Sequence, residues 1–246
     1  MKSLNQQHAV HKQWMLRLLS EIADNNKLSQ SIAFKGGSCA SLLGFLDRFS
    51  VDLDFDLLPL AFAKKTELRD DLYKIFDVLN FTIDQESKTQ LQFFLKYKSK
   101  PNERNTLKLE IIDNEVKANI YKKVFIPDIN RYLQTQTIET MFANKLVAPI
   151  DRYEKHGSIA TRDIYDINFF FNQGFSYNQD VIIERRNKTV KEHLSELIDF
   201  INTQITSNTI VEDLNYLLTP EQFRLARKFL KSEVINNIKI DVNLES

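Results

Sequence analysis

The stretch Val51-Asp52-Leu53-Asp54-Phe55-Asp56-Leu57 alternates strictly between apolar and acidic residues. A period of two is that of a β-strand, with Val51, Leu53, Phe55 and Leu57 on one face and Asp52, Asp54 and Asp56 on the other. Three like charges on one face repel each other. A partly buried strand tolerates them best when a divalent cation neutralises the cluster, although a solvated acidic face would show the same alternation. The chain must therefore build a sheet in which this strand has one apolar and one acidic side.

Upstream, Lys35-Gly36-Gly37-Ser38 follows a short apolar run, Ser31 to Phe34, and precedes a helix-like segment from Cys39 to Leu46. Glycines at a strand-to-helix turn let the backbone bend sharply and approach a ligand closely. The helix N-terminus that follows offers free N–H groups to a phosphate, and Ser38 adds a hydroxyl donor. Downstream, Thr106 to Ile112 alternates again, with Leu107, Leu109 and Ile111 on one face and Lys108 and Glu110 on the other. If that strand neighbours the acidic one, Glu110 joins Asp52 and Asp54 as a third metal ligand; otherwise it is an ordinary exposed residue. Two Mg²⁺ (or Mn²⁺) ions on such a triad would clamp the attacking and leaving oxygens of a phosphoryl displacement.

Helical spacing covers about Leu4 to Asn26 and Lys64 to Leu79, the latter closed by Asn80. Strand-like runs follow at Phe81 to Asp84, Leu91 to Lys98 and Thr106 to Ile112, with Ser99 to Arg104 as a loop. After Pro127 the periodicity turns helical: Ile138 to Asp151, Arg162 to Phe171, Asn178 to Asn187, Lys191 to Thr203 and Glu221 to Lys231. The expected class is α+β. A mixed sheet with flanking helices occupies residues 1–130, and a helical domain, residues 131–246, contributes Lys and Asp side chains to the active cleft.

Lysines and arginines together number 33, as do the acids, so no whole-molecule field draws the chain to nucleic acid or an anionic membrane. Any such partner must meet a local patch. A single cysteine, Cys39, excludes an internal disulfide framework and a Cys-based zinc site. No apolar run has the length of a transmembrane helix or a signal-peptide core, so a cytoplasmic protein is expected. His8, His11, His156 and His193 share no motif with the acidic strand and read as surface residues. Neither a nucleophile elbow nor a Walker-type phosphate loop is present.

Several charged residues lie where charge is unexpected. Lys145 falls in the middle of an apolar helical stripe formed by Ile138, Met141, Phe142, Ala148 and Pro149, where its ammonium needs a phosphate or a carboxylate as partner. Pro149 should kink or end that helix. In Arg162-Asp163-Ile164-Tyr165-Asp166 the two acids share a helix face, and Arg162 and Asp166 are spaced to pair. Arg224, Arg227, Lys228 and Lys231 form a basic stripe that fits an RNA backbone or a solvated face, with Arg185, Arg186 and Lys188 as a weaker candidate patch.

A glycine pair with Ser, a helix, Asp-x-Asp on a strand and a third acid on a later strand resemble the polymerase-β-like nucleotidyltransferase superfamily. Within it, KGGS followed by DRFSVDLDFDL, then MFANKLVAPIDRY and TRDIYDINFF, is similar to the AbiEii toxin family. These motifs span residues 35 to 171, over half of the chain. The resemblance implies transfer of a nucleotide from a nucleoside triphosphate to an acceptor hydroxyl, with Gly36, Gly37 and Ser38 cradling the triphosphate and Asp52 and Asp54 holding Mg²⁺. It implies that Lys145 contacts nucleotide phosphates and that Asp163 and Asp166 complete the site. Asp163 would orient Lys145 or act as a base on the acceptor. Arg48 and Ser50, matching an Arg-x-Ser signature, would touch phosphate or brace the loop. The resemblance further implies an RNA acceptor, the acceptor end of tRNA, and a cognate antitoxin. Transfer to a small molecule or a protein, or a silent module binding RNA or a partner, are the alternatives. The chain departs from the family's pattern twice: Cys39-Ala40-Ser41-Leu42 follows Ser38 where relatives carry a Leu-Arg pair, and Pro149 interrupts the lysine helix.

Overall fold

The computed structural model describes residues 4–59, 61–99, 103–113 and 116–244. Contacts gather the chain into two units: Met1–Gly44, Phe49–Glu115 and Tyr121–Gln136 in the first, Phe45–Arg48, Val116–Ile120 and Thr137–Ser246 in the second.

The first unit opens with α1 (Leu4–Asp24) and the short α2 (Asn26–Ser31), which Asn25 caps by accepting the Leu28 N–H. The strand β1 (Ile32–Lys35) runs straight into α3 (Gly36–Leu42), and the acidic strand is β2 (Asp52–Leu57). Then come α4 (Lys65–Val78), β3 (Thr82–Glu86), β4 (Leu91–Lys96), β5 (Thr106–Asp113), β6 (Tyr121–Ile126) and β7 (Arg131–Gln136), with a 3₁₀ turn at Pro127–Ile129. The described strands form one mixed sheet, ordered β3-β4-β5-β2-β1-β7-β6. The acidic strand lies at its centre, antiparallel to β1 and parallel to β5. Its apolar face is real: Leu53 and Phe55 are fully buried with Phe34, Phe93, Leu107 and Leu109.

The structure moves several expected boundaries. The helix after the glycine pair begins at Gly36 itself and stops at Leu42, not Leu46. The hairpin of β6 and β7 extends the sheet, and the break between units falls after Gln136, at the far end of the stretch 128–136 in which the sequence places it. That hairpin is masked in the sequence because its buried positions include the polar Thr135 and Gln136. Its turn is marked only by Asn130, left-handed at φ 53°. The predicted loop Ser99 to Arg104 falls partly outside the described residues.

The second unit is helical: α5 (Ile138–His156), α6 (Thr161–Asn172), α7 (Gln179–Arg186), α8 (Val190–Gln204), α9 (Ser207–Leu214) and α10 (Pro220–Leu244). Thr137 caps α5 by accepting the Thr140 N–H, and left-handed Gly157 ends it. Pro149 does not break this helix, which continues seven residues further to His156. A proline removes the bond to the carbonyl four residues back and crowds that turn. Here the neighbouring Leu146 carbonyl is approached by His193 Nε2 at 3.1 Å, and buried Leu146, Val147 and Ile150 hold both sides of the break in the core. Short α9 escapes the periodicity and is announced only by its capping box at Thr206 and Thr209.

Two histidines expected at the surface are interior. His193 is fully buried on α8. His11, buried on α1, contacts the Val51 carbonyl through Nε2 at 2.8 Å and the Tyr97 hydroxyl through Nδ1 at 2.7 Å, thereby pinning the start of the acidic strand. Burial is the main cause that lowers its pKa to about 4. The depressed value means that the unfolded chain takes up the proton first, so stability is full above the ordinary histidine range and falls as pH drops from about 6.5 to about 4. The effect amounts to about 3 kcal/mol. Urea unfolding across that window should therefore show a clearly shallower pH dependence for His11→Gln than for the native chain; parallel curves would refute this assignment.

Candidate functional site

Lys35 on β1 lies opposite Asp54 on β2. The chain turns at the next residue, Gly36, with a left-handed φ of 77°. A Cβ added to Gly36 would stand 3.1 Å from Asp54 Oδ2, so the turn passes over the carboxylate with room for hydrogen only. Ser38 fixes the other end: its hydroxyl, expected to point at phosphate, donates to the main-chain carbonyl of Asp52. Gly37 and Ser38 are buried. The glycine turn thus lies against the Asp54 carboxylate and the main chain of Asp52.

The third aspartate does not join them. Asp56 is fully buried, and its carboxylate accepts from Lys35 Nζ at 2.5 Å, Tyr121 Oη at 3.0 Å and Gln136 Nε2 at 2.6 Å. It neutralises Lys35 and ties β2 to β6 and β7. Asp52 and Asp54 are different. Among the described residues no side chain hydrogen-bonds or ion-pairs with either carboxylate. Burial, then the neighbouring Asp52, push the Asp54 carboxyl up to about 6 against the opposing pull of Lys108 and Lys35. Two neighbouring carboxylates with no hydrogen-bonded side chain among the described residues, one of them beneath a glycine turn, are a donor set that suits a hard divalent cation. Glu110 is in register with Asp54 on β5, as a third ligand requires. Its oxygens, however, accept from Gln92 Nε2 and Lys108 Nζ, each at 2.6 Å. Among the described residues no three His, Cys, Asp or Glu side chains are gathered as a metal site.

In the helical unit, Lys145 meets carboxylates: Asp163 at 2.6 Å and Asp166 at 2.9 Å. Burial works against its ammonium, but Asp163 and then Asp166 outweigh it and raise the pKa above its ordinary value. Burial alone would raise Asp163; Lys145 and Arg152 instead bring it down to about 2. Asp166 pairs with Arg48, not Arg162, through two bonds of 2.5 and 2.7 Å. Arg48 is itself buried. Arg162 instead lies against Asp213 on α9, its main-chain N–H 3.1 Å from that carboxylate. Ser50 is half-buried. A cavity of about 250 Å³ opens between α6 and α10, lined by Asp47, Tyr165, Gln222, Phe229 and Glu233 among others, and includes none of the residues singled out from sequence.

The basic stripe on α10 divides. Arg224, Arg227 and Lys228 are exposed, with Arg227 over the Phe223 ring and Lys228 over Phe229. Lys231 leaves the set, because its ammonium donates to the Asn202 and Ile205 carbonyls at the end of α8. The second candidate patch is consumed: Arg185 and Arg186 pair with Asp151, Arg186 also with Glu154, and Lys188 with Glu196.

The network around Asp166 gives a stability prediction. Removing one member of a buried, hydrogen-bonded ion set strands the others, at a cost of about 3–5 kcal/mol. Asp166→Ala should lower stability by that amount in chemical denaturation followed by circular dichroism. Lys65→Ala, which removes an exposed pair with Asp113, should change it by less than about 1 kcal/mol. Equal effects would show that the network is not what holds this part of the unit.

A family model described as the nucleotidyl transferase AbiEii toxin of a Type IV toxin–antitoxin system matches residues 17–244. Among solved structures, JHP933 from Helicobacter pylori is similar over 97% of this chain and 96% of its own, at 21% identity and a TM-score of 0.54. MenT4, a nucleotidyltransferase toxin from Mycobacterium tuberculosis, is similar over 96% of this chain and 84% of its own, at 14% identity and a TM-score of 0.60. At such identities these two likenesses speak for the fold alone. No curated protein matches the sequence. Among the described residues no helix is long and apolar enough to cross a membrane. Because the family model spans nearly all of it, the chain belongs to the AbiEii family of toxin–antitoxin nucleotidyltransferases and is a nucleotidyltransferase.

Proposed function

We propose that this enzyme moves a nucleotide from a nucleoside triphosphate to a hydroxyl of an RNA, the acceptor end of tRNA, in a reaction that depends on Mg²⁺ or Mn²⁺ held by Asp52 and Asp54. The observation that carries the reading is the glycine turn passing over Asp54, where a Cβ on Gly36 would stand 3.1 Å from Oδ2, next to two carboxylates that have no side-chain hydrogen bond or ion pair among the described residues. The ion, when bound, supplies positive charge to the triphosphate and to the pyrophosphate that leaves. Gly36, Gly37 and Ser38 receive phosphate oxygens through their main-chain N–H groups. Lys145 contacts nucleotide phosphate. Asp163 and Asp166 hold its ammonium, and Arg48 in turn positions Asp166. An acceptor hydroxyl then attacks the α-phosphorus, loses its proton, and displaces pyrophosphate as the new phosphodiester forms.

An RNA acceptor is favoured by Arg224, Arg227 and Lys228, an exposed basic strip backed by aromatic rings in a chain with no net charge. Membership of a toxin family supports a cognate antitoxin protein as a partner, and the proposed place of action is the cytoplasm.

Two experiments test the reading. The protein incubated with each labelled triphosphate, Mg²⁺ and total RNA should label RNA, whereas Asp52→Asn/Asp54→Asn should lose at least about a thousandfold of that activity. The triple charge reversal of Arg224, Arg227 and Lys228 should raise the RNA concentration needed and flatten its salt dependence. Label appearing on protein or small molecules but not RNA would overturn the acceptor assignment. The glycine turn is tested by pairing Gly36→Ala with Gly44→Ala. Both glycines are left-handed, at 77° and 76°, but only Gly36 has an atom in the way. Backbone strain of about 1–2 kcal/mol should be common to both. Nucleotidyl transfer should fall by at least about tenfold only in Gly36→Ala, the equivalent of about 1.4 kcal/mol of lost transition-state stabilisation.

A further inference from the structure

The inference rests on the metal reading of Asp52 and Asp54 and concerns Lys108. Strand β5 runs parallel to β2 with Lys108 opposite Asp52 and Glu110 opposite Asp54. Residues opposite one another in a ladder share a face of the sheet, so one ammonium stands among three carboxylates. It lies 2.6 Å from Glu110, and both side chains are largely shielded, at 25% and 21% exposure. The other oxygen of Glu110 accepts from Gln92. Lys35, the remaining nearby cation, is committed to Asp56. Three carboxylates against one ammonium leave two negative charges, which one divalent ion cancels. A second divalent ion would need the place and the ligand that Lys108 already holds.

We propose that Lys108 stands in for a second cation: the acidic face takes one divalent ion, on Asp52 and Asp54, while Lys108 keeps Glu110 out of its coordination. Lys108 is thus a positioning residue that sets metal stoichiometry. Losing its charge frees Glu110 to coordinate and admits a second ion.

The full chain is titrated with Mn²⁺ in the presence of α,β-methylene analogues of the four nucleoside triphosphates, and bound ions are counted by electron paramagnetic resonance. One ion per chain is expected for the native protein and for Lys108→Arg, and two for Lys108→Met. Two ions on the native protein, or one on folded Lys108→Met, would overturn the inference. Should Lys108→Met fail to fold, the counts for the native chain and Lys108→Arg decide it, since either binding two ions contradicts the single-ion site. No bound ion on the native chain, matching an Asp52→Asn/Asp54→Asn control, would instead defeat the metal reading of the aspartates on which this one stands.

Discussion

Between Gly36 and the Asp54 carboxylate there is space for hydrogen atoms and little else. The close approach follows from the pairing of β1 with β2, which sets Lys35 opposite Asp54 and forces the next residue to leave the strand directly above that side chain. Any residue but glycine would meet two penalties there, a left-handed backbone and a contact tighter than side chains ordinarily make. The hydroxyl of Ser38 then ties the new helix to the main chain of Asp52. Turn and acidic strand are joined at two points, so the direction of the main-chain donors and the position of the carboxylates are not independent. The glycine turn and the acidic strand become one geometric unit of a strand-turn-helix-strand segment.

Around that segment the fold separates charges that are permanently satisfied from charges left open. Asp56 has the same residue type and spacing as its two neighbours, yet it accepts three hydrogen bonds and gives Lys35 its counter-charge. In the helical unit, Lys145 sits against two carboxylates, each held by an arginine on its other side. An isolated lysine among apolar residues would lose its proton or unfold the helix that carries it. The arginines Arg48 and Arg152 make the arrangement tolerable, because they leave neither aspartate to depend on the lysine alone. Lysine is the suited centre for such a set: a single compact charge on a flexible stem can be oriented by two acids and still present a face to an anion.

Much of this was legible before any coordinates. Strict alternation located β2 and β5, and the glycine pair located the turn, because both signals arise from local backbone geometry that no distant contact overrides. The partners of individual charges were less legible. Arg48 is 118 residues from Asp166 in sequence, and nothing local distinguishes it from an arginine that reaches for phosphate. Arg162 and Asp166 had the right spacing to pair, but the better-buried and bidentate Arg48 took the acid instead. Lys231 looked like part of a basic stripe and proved to close the end of α8. The hairpin β6–β7 was missed for a related reason: Gln136 and Thr135 are polar by sequence and interior by function, since Gln136 serves Asp56. A polar residue whose partner lies far along the chain carries no periodic signature.

The two kinds of carboxylate can be told apart by the direction in which their proton affinity moves. Asp163 is brought down to about 2 although burial opposes it, because cations stand beside it in the folded chain. Its charge contributes stability that is present above the ordinary carboxylate range and is lost as pH falls towards about 2. Asp54 goes the other way, up to about 6, because burial and Asp52 both disfavour its charge and the nearby lysines do not make up the difference. For such a group the sign reverses: the fold by itself is better off with the proton on, and loses that stability as pH rises through about 6. A chain that holds one carboxylate at a cost near neutral pH, at the centre of its sheet and under a glycine turn, has left room for a positive charge from outside. The same test passes over Asp56, Asp163 and Asp166, each already held by cations of its own, and returns the pair at which a divalent ion and a triphosphate would meet.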